Sequence, residues 1–181
     1  MKKKLLFVMS SLGAGGAEKA LINLLNSIDY NSYDVDLQLI QNKGMNMKYI
    51  PAEVNVLPPV NDNNYLFLNG IAFFRFAFAH FMFLKIIRRI FYNIIPIIIK
   101  NSKRKKAFYF WKFVKPYIKK NDAQYDAAIG YIQGYPVYYV VDCVKANHKI
   151  GWIHNDYLKI PIVLKEYEYF DKLYKLVTVS E

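Results

Sequence analysis

Near the amino terminus an apolar run, Leu5 to Met9, leads into Ser10-Ser11-Leu12-Gly13-Ala14-Gly15-Gly16, and behind that loop Ala17, Ala20, Leu21, Leu24, Leu25 and Ile28 recur at helical spacing. A short continuously apolar strand is one that will be covered on both faces, and a glycine turn followed directly by an amphipathic helix supplies the first cover. This unit therefore commits the chain to an open α/β sheet. Lys2, Lys3 and Lys4 ahead of the run imitate the start of a secretory signal, but the apolar stretch is too short and ends in a glycine turn rather than a small-residue cleavage site.

The periodicity continues in the same sense. Tyr33 to Ile40 reads as a second strand and Val54 to Leu57 as a third, closed by Pro58-Pro59. Later, Tyr125 to Tyr131 reads as a strand, Val137 to Lys145 as a helix, Lys149 to His154 as a strand, Ile162 to Leu173 as a helix and Leu176 to Val179 as a strand. The predicted fold is Rossmann-like: an open, mostly parallel sheet with helices on both faces, spanning residues 1–181.

Charge is concentrated in the middle of the chain. There are 25 Lys and Arg against 14 Asp and Glu, a net +11, yet residues 63–121 hold thirteen basic residues and no acidic one. Outside that segment the chain is close to neutral, so the excess points to an anionic partner for one located surface. Arg75, Lys85, Arg88 and Arg89 interrupt the aromatic and aliphatic stretch and rule out a spanning helix there. On a helical projection these four share a sector of roughly 140°, leaving a broad apolar face from Ile71 to Ile95. Pro96 is expected to kink or end that helix. Lys103, Arg104, Lys105 and Lys106 open a second basic helix that runs on to Lys120.

Few residues offer chemistry. Cys143 is the sole cysteine and sits in an apolar run, which excludes a disulfide framework and predicts a small buried hydrophobe in a reducing compartment. His80, His148 and His154 have no ligand spacing, so no metal site is expected. Asp34-Val35-Asp36 places two carboxylates on one face of a strand, read here as a solvated edge. In the loop Gly13 to Glu18, glycines permit close approach and the amides of the following helix attract anions, which leaves a tight turn and a phosphate or sugar site both open. Tyr131, Gln133 and Gly134 follow a strand and precede a helix, so they should line the same crevice.

Three stretches together carry a resemblance. Gly15-Gly16-Ala17-Glu18-Lys19-Ala20-Leu21 resembles the opening motif of retaining glycosyltransferases of family 4, also called group 1. Lys149-Ile150-Gly151-Trp152-Ile153-His154-Asn155-Asp156 is similar to that family's strand ending in histidine, and Val177-Thr178-Val179-Ser180-Glu181 to the strand near the end of its N-terminal domain. The resemblance implies the acceptor-side half of a two-domain GT-B enzyme that moves a sugar from a nucleotide-sugar donor to a glycan or lipid-linked acceptor, with no cofactor. It implies that Gly13, Gly15, Gly16 and Glu18 approach the donor phosphate or sugar, that His154 is the catalytic-site histidine, acting by positioning, and that Tyr131, Gln133, Gly134, Asn155 and Asp156 meet the acceptor. The family's paired glutamates belong to a C-terminal domain absent from this chain, and Glu166 with Glu168 does not reproduce them, so the chain by itself is expected to be inactive.

For residues 63–121 three readings stand. In one the helices pack and their charges are solvated, in the second they grip an anionic membrane surface through Arg75, Lys85, Arg88, Arg89, Lys103, Arg104, Lys105 and Lys106, and in the third they bind nucleic acid. No nucleic-acid module accompanies them, and the resemblance favours the membrane, which would place the protein at the cytoplasmic face of the cell membrane. A different class of function, a non-catalytic membrane-surface or acceptor-binding module serving a separate donor-binding chain, fits the same residues.

Overall fold

A computed structural model describes residues 1–60, 70–98, 103–154 and 166–179, with backbone only at 92–98 and 103–106. Strand β1, Lys3–Met9, buries Leu6, Phe7, Val8 and Met9 alike, because it lies inside the sheet with helices over both faces. Around it run α1 (Gly16–Asn26), β2 (Tyr33–Leu39), a 3₁₀ turn at Met45–Tyr49 and β3 (Asn55–Val56). The basic segment supplies α2 (Gly70–Ala79), α3 (Phe83–Ile98) and α4 (Lys103–Val114). The chain then returns through β4 (Asn121–Gly130), α5 (Tyr135–Cys143), β5 (Val144–Ile153), α6 (Tyr167–Phe170) and β6 (Lys175–Thr178).

All six strands are parallel, in the order β3-β2-β1-β4-β5-β6. The chain builds outward from β1 in one direction, then from β4 in the other, so the strand order reverses between them. Side-chain alternation along β1 splits the core in two. Phe7 and Met9 pack with Val35, Leu37 and Leu39 of β2 under Leu21, Ile22 and Leu25 of α1. Leu6 and Val8 face the opposite way, under Phe73, Phe108, Trp111, Phe113 and Tyr138 from α2, α4 and α5. The aromatic residues of the basic segment thus cover the second face of the sheet. Among the described residues no helix is long and apolar enough to cross a membrane.

Several expectations need correction. Asp36 is no solvated edge: β2 lies between β1 and β3, and the carboxylate is buried, accepting hydrogen bonds from Tyr125 Oη at 2.7 Å and Asn55 Nδ2 at 2.7 Å, with Lys4 Nζ at 3.3 Å. β5 begins at Val144, directly after α5, because Val144 and Ala146 pair with β4 and pack inward despite Lys145 between them. Of the helix expected over 162–173, residues 162–165 lie outside the described residues and only Tyr167–Phe170 is helical beyond them. Pro96 does not end α3, which runs to Ile98.

The apolar helix expected from Ile71 is instead broken at residues 80–82. Met82 N–H reaches back to Ala77 O at 2.8 Å and Phe81 N–H to Phe78 O at 3.1 Å, the paired bonds of a Schellman stop. Phe81 holds the left-handed position, φ 53°, that glycine ordinarily fills.

Candidate active site

The carboxyl ends of β1, β4 and β5 lie where the strand order reverses, the place at which sheets of this kind carry a ligand crevice. From β1 comes the glycine loop. Gly15, in extended backbone, precedes the first turn of α1, and Gly15 and Gly16 are exposed, so the first amides of α1 are open to an anion. Glu18 folds back over this loop: a methyl group added at Gly15 would collide with its carboxylate, and one at Gly13 would lie 3.6 Å from Oε1. An acidic side chain in a first helical turn is favourably placed against the helix dipole.

A neighbouring segment fixes the loop. Leu12 N–H donates to Lys43 O at 2.9 Å, Asn46 N–H donates to Leu12 O at 3.0 Å, and buried Asn46 donates its side-chain amide to Gly13 O. Gly44 makes this possible: at φ 130° its α-carbon lies against the Leu12 carbonyl, where any β-carbon would overlap. Neither residue was singled out in the sequence; the only signal for them is an isolated glycine two residues before an asparagine, a pattern common to many turns.

From β4 comes Tyr131, whose N–H donates to Val8 O at 2.9 Å and so continues the sheet past Gly130. Tyr131 is 3% exposed, which corrects its expected contact with an acceptor: the ring is part of the core. It supports the crevice from beneath, with ring centroids 4.7 Å from Trp152 and 4.9 Å from His154. Gln133 Oε1 accepts the His154 backbone N–H at 3.2 Å, tying the β4 loop to the end of β5. Gly134 caps the start of α5 at φ 89°.

His154 follows the last residue of β5 and stacks near Trp152, centroids 5.9 Å apart. Burial lowers its pKa below the ordinary histidine value, opposed by a hydrogen bond to the Tyr131 backbone and by the charge of Glu18. The imidazole is therefore neutral at pH 7. Its Nε2 is buried and has no partner among the described residues. Trp152 Nε1, likewise buried without a partner, is a donor that sequence reading passed over. Asn155 and Asp156 lie outside the described residues.

The basic residues expected on an outer surface divide. Arg75 is exposed. Arg89 is buried, its guanidinium 4.1 Å from the Phe73 ring centroid and 5.1 Å from that of Phe110, and burial lowers its pKa to about 10. That corrects its placement. Lys85 and Arg88 are half-buried and lean over Tyr117. The side chains of Lys103, Arg104, Lys105 and Lys106 lie outside the described set.

The site thus combines exposed helix-start amides, a carboxylate and a neutral imidazole, a set able to hold a polyhydroxylated, anionic ligand without a metal. No protein-family model, curated protein or solved structure matches this chain.

Proposed function

We propose that this chain is the acceptor-side half of a retaining sugar transferase that uses a nucleoside-diphosphate sugar. The observation that carries the reading is the convergence of the exposed Gly15-Gly16 amides and the neutral His154 ring at the strand-order reversal. When a nucleoside diphosphate departs, negative charge grows on phosphate oxygens, and amides already aimed at that place stabilise it without reorganisation. The half-buried imidazole of His154 packs beside the sugar and orients it; retention of configuration asks for no inverting base. Glu18, at the mouth of the loop, accepts a second hydroxyl or swings aside for phosphate, since only its carboxylate end meets Gly15.

The test uses the protein encoded by the full reading frame, screened with nucleotide sugars and lipid-linked acceptors. His154→Ala is expected to lower kcat about tenfold or more with the fold intact. Undiminished turnover in that variant would remove His154 from the reaction, and absence of transfer with every donor would overturn the reading.

A further inference from the structure

α3 is turned the opposite way from an ordinary surface helix. Its cations point inward: Arg89 lies among Phe73, Phe110 and Phe113, Arg88 Nη2 reaches the Lys112 carbonyl at 3.4 Å, and Lys85 sits over Tyr117. Ile86 packs inward, but other apolar residues point out, with Leu84 83% exposed and Ile87 63% exposed. At the corner where α2 meets α3, Phe78, Phe81 and Phe83 extend this surface, the rings of Phe78 and Phe81 each 6.1 Å from that of Phe83. A shallow apolar groove between the helices, lined by Phe74, Phe78, Ala79 and Ile86 with Arg75 beside it, adjoins the corner.

Two physical features say that this face is used. Phe81 occupies a left-handed backbone position that costs a non-glycine residue free energy, and the strained residue is 79% exposed, where it returns nothing to the core. The exposed apolar residues are also contiguous rather than scattered. Charge selects the occupant. Residues 70–91, which build the corner, hold no acidic residue, and exposed Arg75 stands beside the groove, so a second copy of the chain would bring like charge against like, whereas an anionic bilayer attracts it. A bilayer also accepts a convex ridge without a shaped partner.

We infer that the α2–α3 corner inserts Phe78, Phe81, Phe83, Leu84 and Ile87 into an anionic lipid surface. Arg75, exposed beside the groove, strengthens attachment, but insertion of the apolar corner provides most of it. This inference stands apart from sugar transfer and is tested without it. The full chain carrying Phe83→Trp is mixed with vesicles of equal phosphatidylglycerol and phosphatidylcholine, then with phosphatidylcholine alone. The expected result is a blue shift of the added tryptophan emission on the anionic vesicles and weaker partitioning into neutral ones. Leu84→Gln with Ile87→Gln should lower partitioning by roughly tenfold or more, its circular dichroism unchanged. Phe81→Asn, which relieves the backbone strain, should fold at least as well and also bind less. No shift on anionic vesicles, equal binding to both lipids, or partitioning indifferent to the glutamine pair would overturn the inference. So would a lipid-free dimer, seen by sedimentation, that the glutamine pair dissociates.

Discussion

Replacing Gly16 by alanine separates what the fold requires of the glycine loop from what a ligand requires. A β-carbon at Gly16 meets nothing within 4 Å, and its backbone lies outside the left-handed region. At such a position alanine restricts the unfolded chain and stabilises the native one by about 0.4–1 kcal/mol, or roughly 1–4 °C in Tm for a chain of this size. Gly44→Ala is the counterpart. Its φ of 130° belongs to glycine, a cost of about 1–3 kcal/mol for another residue, and the new methyl would overlap the Leu12 carbonyl, adding about 1–3 kcal/mol. Because that carbonyl is backbone already bonded to Asn46, it cannot turn aside as a side chain would. The expected loss is about 2–6 kcal/mol, a fall of roughly 4–24 °C. Thermal and urea unfolding followed by circular dichroism measure both variants. Sugar transfer by the full reading frame then distinguishes them: Gly16→Ala should keep its stability yet lose about tenfold to hundredfold in turnover, since its methyl projects where phosphate would approach. A Gly16→Ala protein with full turnover would show that no ligand needs the glycine, and a Gly44→Ala protein as stable as the parent would refute the bracing of the loop.

Three further outcomes follow from the electrostatics. His154 is held below its ordinary pKa of 6.5 by burial, so the unfolded chain takes up its proton first as pH falls; stability should be full above that value and decline below it. An NMR midpoint for its Cε1 proton above 6.5 would contradict this. Burial alone would raise the pKa of Asp142, but hydrogen bonds from Lys115 at 2.8 Å, Trp111 at 2.9 Å and Tyr169 at 2.8 Å outweigh it and hold the carboxyl below the ordinary range; this stabilisation is present at neutral pH and lost as pH falls through the native pKa. Asp142→Ala leaves the Trp111 and Tyr169 donors without their acceptor and should cost about 2–4 kcal/mol in urea unfolding, a loss under about 1 kcal/mol refuting the network. The Cys143 thiol is pushed up to about 12 by burial and by Asp142, so it should resist a thiol reagent at pH 8 until denaturant is added; fast labelling of the native protein would refute its burial.

Much of the sheet was legible because period and punctuation agree along β1, its glycine loop and α1, where an all-apolar run meets glycines and then helical spacing. The strand-order rule then brought His154, Gln133 and the glycine loop to one crevice from residues far apart in sequence. What escaped were features set by tertiary contact. Val144 to His148 is too polar to announce a strand, and only the β4 neighbour makes it one. Asp36 looked like an edge carboxylate because its partners, Tyr125 and Asn55, come from other strands. The stop after α2 contains no glycine, so the left-handed Phe81 left no trace in composition.

The basic segment shows how far a helical projection can be taken. It correctly groups Lys85, Arg88 and Arg89 on one side of α3, but a projection has no inward direction, and the usual assumption that charge faces water supplied the wrong one for Arg89. Opposing it is the aromatic surface of α2 and α4. Phe73, Phe110 and Phe113 can cover a guanidinium with ring faces while its aliphatic stem packs, so the arginine adds contact to the core. Once Arg89 is anchored there, rotation of α3 is fixed, and Leu84 and Ile87 must turn out. The outward apolar face is thus a consequence of where the arginine goes. A sequence that had only to dissolve this helix would place polar residues at those positions; their aliphatic and aromatic character is the reason to seek a lipid surface as the occupant of the α2–α3 corner.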